Sequence, residues 1–396
     1  MSGTQYKKNK TSEFFSNSAI LMCKCGLSYL WVDKVSLKYF NIFNRISTFF
    51  MLTFMASEYV AFFTQTDLND KQASDQIMFA ISHPILMSYS FSIIYYRKDI
   101  RKLLFKLAVV LKEDYNDLEI ETQMIRKAKL YSTFYVMSFS AALFFYAFDG
   151  IMQVVKKGDT FTTVILAWPD VRQRGILPDF IRIAVYFLWW LFMFRVSAVY
   201  VLVISLTITL SYQYKNLQSY FYKLDDIFNN GNAEGFEQKQ KEYERALKVG
   251  ISMHSDTIWC VKECQRICSW VFSGQITFNF IVFCMLMLQM VNSERTLMSA
   301  LATVSTSASL LMATGFFMCN AGDITVEAAA LPTAIFLSGW QHCRGATSVR
   351  IRKLIVVAIC QSQEPVEIQC FNVIRMSYQS FVSIVKASYS VFSLLY

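Results

Sequence analysis

The residues able to do chemistry are few and scattered. The chain has 3 histidines, His83, His254 and His342, far apart in sequence. No G-x-S-x-G, H-E-x-x-H or phosphate-cradling glycine loop accompanies them, so no catalytic constellation and no cofactor site is read here. Among the 10 cysteines, Cys260, Cys264 and Cys268 fall on one helical face. That spacing could hold a metal, but no histidine or carboxylate stripe joins them, and they read as helix packing. The most informative pattern closes the chain. Residues 371–396 are mostly apolar and about long enough to cross a bilayer, yet Ser377, Ser380, Ser383, Ser388, Ser390 and Ser393 recur along them, with Arg375 and Lys386 inside the stretch. A helix facing only lipid gains nothing from hydroxyls and is penalised for a mid-membrane charge. One that packs on protein and lines a water path can use both. The stretch is therefore expected to be a pore helix that the other segments hold in place.

Those other segments are legible from composition. Of 396 residues, 54% are hydrophobic and only 17% charged, an apolar balance unlike that of soluble proteins. With 5 prolines and 13 glycines the chain suits long helices; a β-barrel needs more turns. The net charge of +9 does not imply nucleic acid, because Lys and Arg fall in loops between apolar runs. The expected fold is an all-α membrane protein of one domain with seven transmembrane helices, at about 39–63, 76–96, 130–149, 180–211, 267–291, 297–320 and 371–394. Residues 14–30 are expected as a short interfacial or re-entrant helix before the first span. After the second span, Leu103, Leu104, Leu107, Val110 and Leu111 have the spacing of an amphipathic rod outside the bilayer. Basic residues concentrate in the N-terminus and in 97–129, 212–266 and 344–353. By the positive-inside rule the N-terminus is cytoplasmic and the C-terminus extracellular. That orientation opposes a G-protein-coupled receptor, and neither D-R-Y after a third span nor N-P-x-x-Y in the last occurs. No internal repeat of the kind common in transporters is visible.

The C-terminal motifs resemble those of insect odorant receptors. Phe316-Phe317-Met318-Cys319-Asn320-Ala321-Gly322 with the later Trp340 resembles the family's F-x-x-C-x-x-G…W stretch. Arg352-Lys353-Leu354 through Gln363-Glu364-Pro365 resembles its basic helix and proline break, and Lys386 to Leu395 its K-x-S-Y-S-x-F-x-L-L ending. The motif expected of gustatory receptors at this position is absent, and the 212–266 loop is too short for the family's co-receptor. The resemblance implies a ligand-tuning subunit of a tetrameric, ligand-gated, non-selective cation channel in the plasma membrane of a sensory dendrite. The implied partners are the odorant receptor co-receptor, a small volatile and membrane lipid. Cytoplasmic extensions at about 97–129, 212–266 and 321–365 would form an anchor where subunits meet.

The resemblance places the ligand in the outer half of the bilayer, among spans two, three, four and six. The candidates there are Phe79, His83 and Met87; Phe139, Ala142, Phe145 and Tyr146; Tyr186 and Trp190; and Thr303 and Thr306. An apolar cavity with a few hydroxyl, imidazole or indole groups suits a volatile, burial supplying affinity and one or two hydrogen bonds orientation. At each position the alternative is ordinary aromatic packing, and His83 could equally bond a neighbouring helix. The gate is assigned to Ser390, Val391, Leu394 and Leu395, since an apolar ring blocks ions by dewetting. The alternative for the two leucines is a lipid anchor. Lys386, roughly 15 Å before the end, either faces the pore or pairs with a carbonyl or carboxylate between subunits, and Arg195 is expected to pair in the same way. A gustatory-type channel is the alternative function, and a metabotropic receptor a more distant one.

Overall fold

A computed structural model describes residues 6–32, 37–66, 68–158, 160–229, 235–292 and 297–395. The chain folds as α1 (Lys10–Lys24), α2 (Leu37–Thr64), α3 (Asp70–Tyr95), α4 (Arg97–Phe105), a π-helical turn (Lys106–Val110), α5 (Leu111–Asp114) and α6 (Leu118–Lys157). Then come α7 (Ile176–Lys223), α8 (Asp226–Asn229), α9 (Phe236–Asn292), α10 (Leu297–Phe336), a 3₁₀ turn (Trp340–His342), α11 (Gly345–Ser362), a two-residue hairpin, β1 (Gln369–Cys370) and β2 (Ile374–Arg375), and α12 (Tyr378–Leu395). Local signals set several boundaries. Asn9 and Asn69 cap α1 and α3 with reciprocal side-chain bonds to Ser12 and Gln72. Asp117 caps α6, and Gly158, at φ 67°, ends it in the left-handed conformation that favours glycine.

Among the described residues, 6 helices are long and apolar enough to cross a bilayer. They are not equivalent. In α7, 78% of the apolar stretch is buried, against 28% in α2. The first is the spine of the bundle, packed on α2, α3, α6, α9 and α10. The second leaves Phe43, Ile46, Phe50 and Phe63 exposed, as a lipid-facing helix does. α7, α9 and α10 run on past their apolar parts, and their polar ends lock together with α6 and α11. Lys127 pairs with Asp323 at 2.7 Å and Lys215 with Glu327 at 3.3 Å. Glu244, nearly buried on α9, takes Lys248 and Arg350, and these two cations hold its carboxyl below the usual range. Cys260, Cys264 and Cys268 of α9 are free and buried.

Several expectations need correction. The helix near the N-terminus spans 10–24 rather than 14–30, and the chain from Gly26 to Trp31 is buried without being helical. It is bound to protein: the Thr11 amide and hydroxyl both donate to Glu121 of α6. The amphipathic rod buries Leu103, Leu104, Leu107 and Leu111 but also Val109, while Val110 is half-buried; the helical phase changes across the π-helical turn at 106–110. The last helix begins at Tyr378, not 371. Phe371 and Asn372 take φ 54° and 56° in a hairpin that Gln265 clamps through both the Gln369 amide and carbonyl. Arg375 therefore lies outside the helix and pairs with Glu367 at 2.9 Å. Arg195, fully buried, meets no carboxylate or carbonyl among the described residues; it donates to the Thr48 hydroxyl at 2.8 Å and to Met51 sulfur at 3.4 Å.

α9 reaches α3 closely because Gly274 lacks a side chain; a Cβ there would stand 2.6 Å from the Tyr89 ring. Gly274→Ala is expected to lower stability by about 1–3 kcal/mol, read as a reduced thermal midpoint in detergent, since a buried ring must move to admit the methyl. An unchanged midpoint would contradict the packing.

Candidate ligand cavity

α3, α6, α7, α9 and α10 surround a cavity with about 730 Å³ of empty space, its open mouth included, in the half of the bundle nearer the link between α6 and α7. Each helix contributes one face at helical spacing. α3 presents Met78, Phe79, Ser82, His83 and Leu86, and α6 presents Tyr135, Phe139, Ala142, Leu143 and Tyr146. α7 adds Trp189, Met193, Val196 and Tyr200, α9 adds Phe278 and Val282, and α10 adds Thr306, Ser309, Leu310 and Ala313. The apolar wall with a few hydroxyls matches sites that bury small organic molecules. Among the described residues, no lysine, arginine or carboxylate lines it, so none of them would compensate a charged ligand.

The cavity's imidazole is fully engaged. His83 Nδ1 lies 2.8 Å from both oxygens of Glu58 on α2, and Nε2 receives the Trp189 indole N–H at 3.1 Å. An indole nitrogen only donates, so Nε2 must accept and the proton sits on Nδ1, facing the carboxylate. The ring is boxed by Phe54, Phe79 and Phe192 at centroid distances of 5.4, 5.1 and 5.0 Å. His83 thus shapes the wall and ties α2, α3 and α7 together, leaving ligand hydrogen bonding to hydroxyls. Thr306 Oγ1 stands 2.9 Å from the Tyr146 hydroxyl, and Ser309 is 2.7 Å from Ser138. The Tyr135 hydroxyl, on a cavity-lining residue, has no hydrogen-bond partner among the described residues. Toward that link, Tyr146 also borders a polar chamber of about 400 Å³ lined by Asn69, Gln72, Asp75, Asp149 and Gln153.

Of the eleven ligand candidates read from sequence, Phe79, His83, Phe139, Ala142, Tyr146 and Thr306 line this one cavity. Five do not. Met87 is core beside the lining Leu86, and Phe145 points off the lining face of α6. Tyr186 lies a turn beyond, donating to the Leu143 carbonyl at 2.7 Å. Trp190 packs on Phe144 and Phe194, a position away from the lining Trp189, and Thr303 is a turn beyond Thr306. The run Trp189, Met193, Val196, Tyr200, at i, i+4, i+7 and i+11, carries the signal that the tryptophan pair obscured. The contribution of α9 was not anticipated. Ser390 and Lys386 are exposed on α12, and the side chains of Val391, Leu394 and Leu395 lie outside those described. Among the described residues, no cluster of three or more metal-ligating side chains occurs.

Residues 71–389 match the family model described as 7tm Odorant receptor. The chain is 25% identical over 181 residues to Odorant receptor 13a of Drosophila melanogaster, a match covering 44% of this chain and 43% of that relative, less than half its length. In fold it is similar to the insect olfactory receptor OR5 from Machilis hrabei. The structure of that receptor in complex with eugenol superposes with a TM-score of 0.79, covering 97% of both chains at 11% identity. A second structure of the same receptor gives 0.77.

Removing one member of the Glu58–His83 pair should harm the protein more than removing both. His83→Leu strands the Glu58 carboxyl in an apolar bundle, with an expected loss of about 3–5 kcal/mol, and Glu58→Leu with His83→Leu should recover most of it. Thermal unfolding of the variants in detergent checks this; a double variant no better than the single would contradict the pairing.

Proposed function

The chain belongs to the odorant receptor family, a family of receptors rather than enzymes, and from that premise we propose that it is the odorant-binding subunit of a ligand-gated, non-selective cation channel. The subunit assembles with the family's co-receptor as a heterotetramer in the plasma membrane, its N-terminus cytoplasmic and its C-terminus extracellular. The observation that carries the reading is the apolar cavity with hydroxyls and, among the described residues, no fixed charge, which suits a neutral volatile. The eugenol bound to the Machilis hrabei receptor is a molecule of that class.

Ligand would act by differential affinity: a volatile that fits the cavity better in the open packing shifts the population toward it. The polar ends of α6, α7, α9, α10 and α11 would form the cytoplasmic anchor. α12 would line the pore, with Ser390, Val391, Leu394 and Leu395 at the gate. Lys386 is exposed in the single chain, so its partner would be a neighbouring subunit or water. A gustatory-type channel remains the second reading, favoured by the same cavity physics with a different stimulus.

Co-expression with an odorant receptor co-receptor, tested against neutral esters, alcohols, aldehydes and aromatics, should give a fast cation current that this chain alone does not give. Leu394→Ala should shift the concentration–response curve or raise the resting current. A response that requires a G protein would contradict the reading.

A further inference from the structure

α9 forms a septum. Phe278 and Val282 face the ligand cavity, while Asn279 and Phe283, one residue further round the helix, border a second cavity of about 300 Å³. The far wall of that second cavity is α12, through Phe381, Ile384, Val385 and Ser388, and Leu310 of α10 borders both spaces. A continuous hydrogen-bonded chain crosses the septum. Tyr200, in the wall of the ligand cavity, donates its hydroxyl to Gln275 Oε1. The Gln275 amide nitrogen lies 3.2 Å from Asn279 Oδ1 and 3.3 Å from Thr314 Oγ1, and Asn279 Nδ2 also donates to Thr314. Thr314 returns its own proton to the Leu310 carbonyl at 3.0 Å.

Two carboxamides buried in an apolar bundle are expensive unless every member is satisfied, and hydrophobic packing would hold three helices together as well. Such a network differs from packing in having discrete alternative arrangements: an amide that turns must exchange its partners. Gln275 is 1% exposed and Thr314 3%, so bulk water has little access to these bonds.

We infer that Tyr200, Gln275, Asn279 and Thr314 form a relay that couples occupancy of the ligand cavity to the position of α12. A ligand that displaces the Tyr200 ring moves the Gln275 carboxamide, which re-partners Asn279 and Thr314 at the wall that α12 packs against. Cys284, just over a turn along α9 from Asn279, adds a contact, its sulfur lying 3.8 Å from the Ser388 carbonyl. These four side chains are positioning residues for gating; of them only Tyr200 reaches the ligand cavity. The inference rests on the channel reading above.

The test uses the full chain co-expressed with a co-receptor and probed with octanol, benzaldehyde, ethyl butyrate and eugenol, taking the probe that gives the largest wild-type current. Gln275→Leu, Thr314→Val and Tyr200→Phe remove the bonds at nearly constant volume. Binding of the same probe to the purified complex is followed by the fluorescence of Trp189 in the cavity wall. For Gln275→Leu and Thr314→Val the relay predicts binding within about threefold of wild type. It also predicts maximal current, or resting current, changed by about tenfold. The Gln275→Leu, Thr314→Val double variant should behave like either single one, because both break one chain. Wild-type currents in both single variants at normal surface level would overturn the relay while leaving the channel reading intact, as would additive effects or parallel loss of binding and current. Absence of wild-type current with every probe would remove the channel reading and the relay with it.

Discussion

Everything in this bundle follows from the requirement that polar groups between apolar helices find partners inside the protein, because lipid offers none. Several seams answer to it, and three of them involve α7. Glu58, His83 and Trp189 join α2, α3 and α7. Arg195 joins α7 to α2. Tyr200, Gln275, Asn279 and Thr314 join α7, α9 and α10. Between the first and last of these lies the apolar cavity, held open by side chains whose hydrogen bonds fix their rotamers. A bundle held by apolar packing alone could collapse into such a space, because dispersion contacts are not directional.

Satisfying the polar groups within the wall also determines what the cavity can recognise. His83 has no lone pair or proton left for a ligand, and Glu58 is screened behind it. What remains accessible is aromatic and aliphatic surface with a few hydroxyls, so discrimination rests on shape and on one or two neutral hydrogen bonds.

Much of this was legible in the sequence where one helical face does one job. Phe79 and His83 on α3, and Phe139, Ala142 and Tyr146 on α6, follow from a 3.6-residue period, and the cavity lies where those faces meet. Legibility failed where every residue of a segment is apolar. Around Trp189-Trp190 the period has no polar face to set its phase, so the lining face of α7 was misjudged by one position. α9 separates two cavities with adjacent residues, a role that periodicity alone does not reveal. The start of α12 was hidden because the hairpin before it is as apolar as a helix, its turn depending on two non-glycine residues of positive φ. The tethering of α1 depends on Thr11 reaching Glu121, 110 positions away, and no local pattern encodes such a contact.

The central claim is that the space surrounded by α3, α6, α7, α9 and α10 is where ligand binds, and filling it tests that most directly. Ala313 borders the cavity, whereas Ala387 of α12 does not and is exposed in the single chain. With the co-receptor present and surface level matched, Ala313→Phe is predicted to raise the concentration for half-maximal response at least tenfold for large odorants and less for small ones. Ala387→Phe should show no such dependence on ligand size. A size-independent effect of Ala313→Phe, or none, would place the ligand elsewhere and contradict the account.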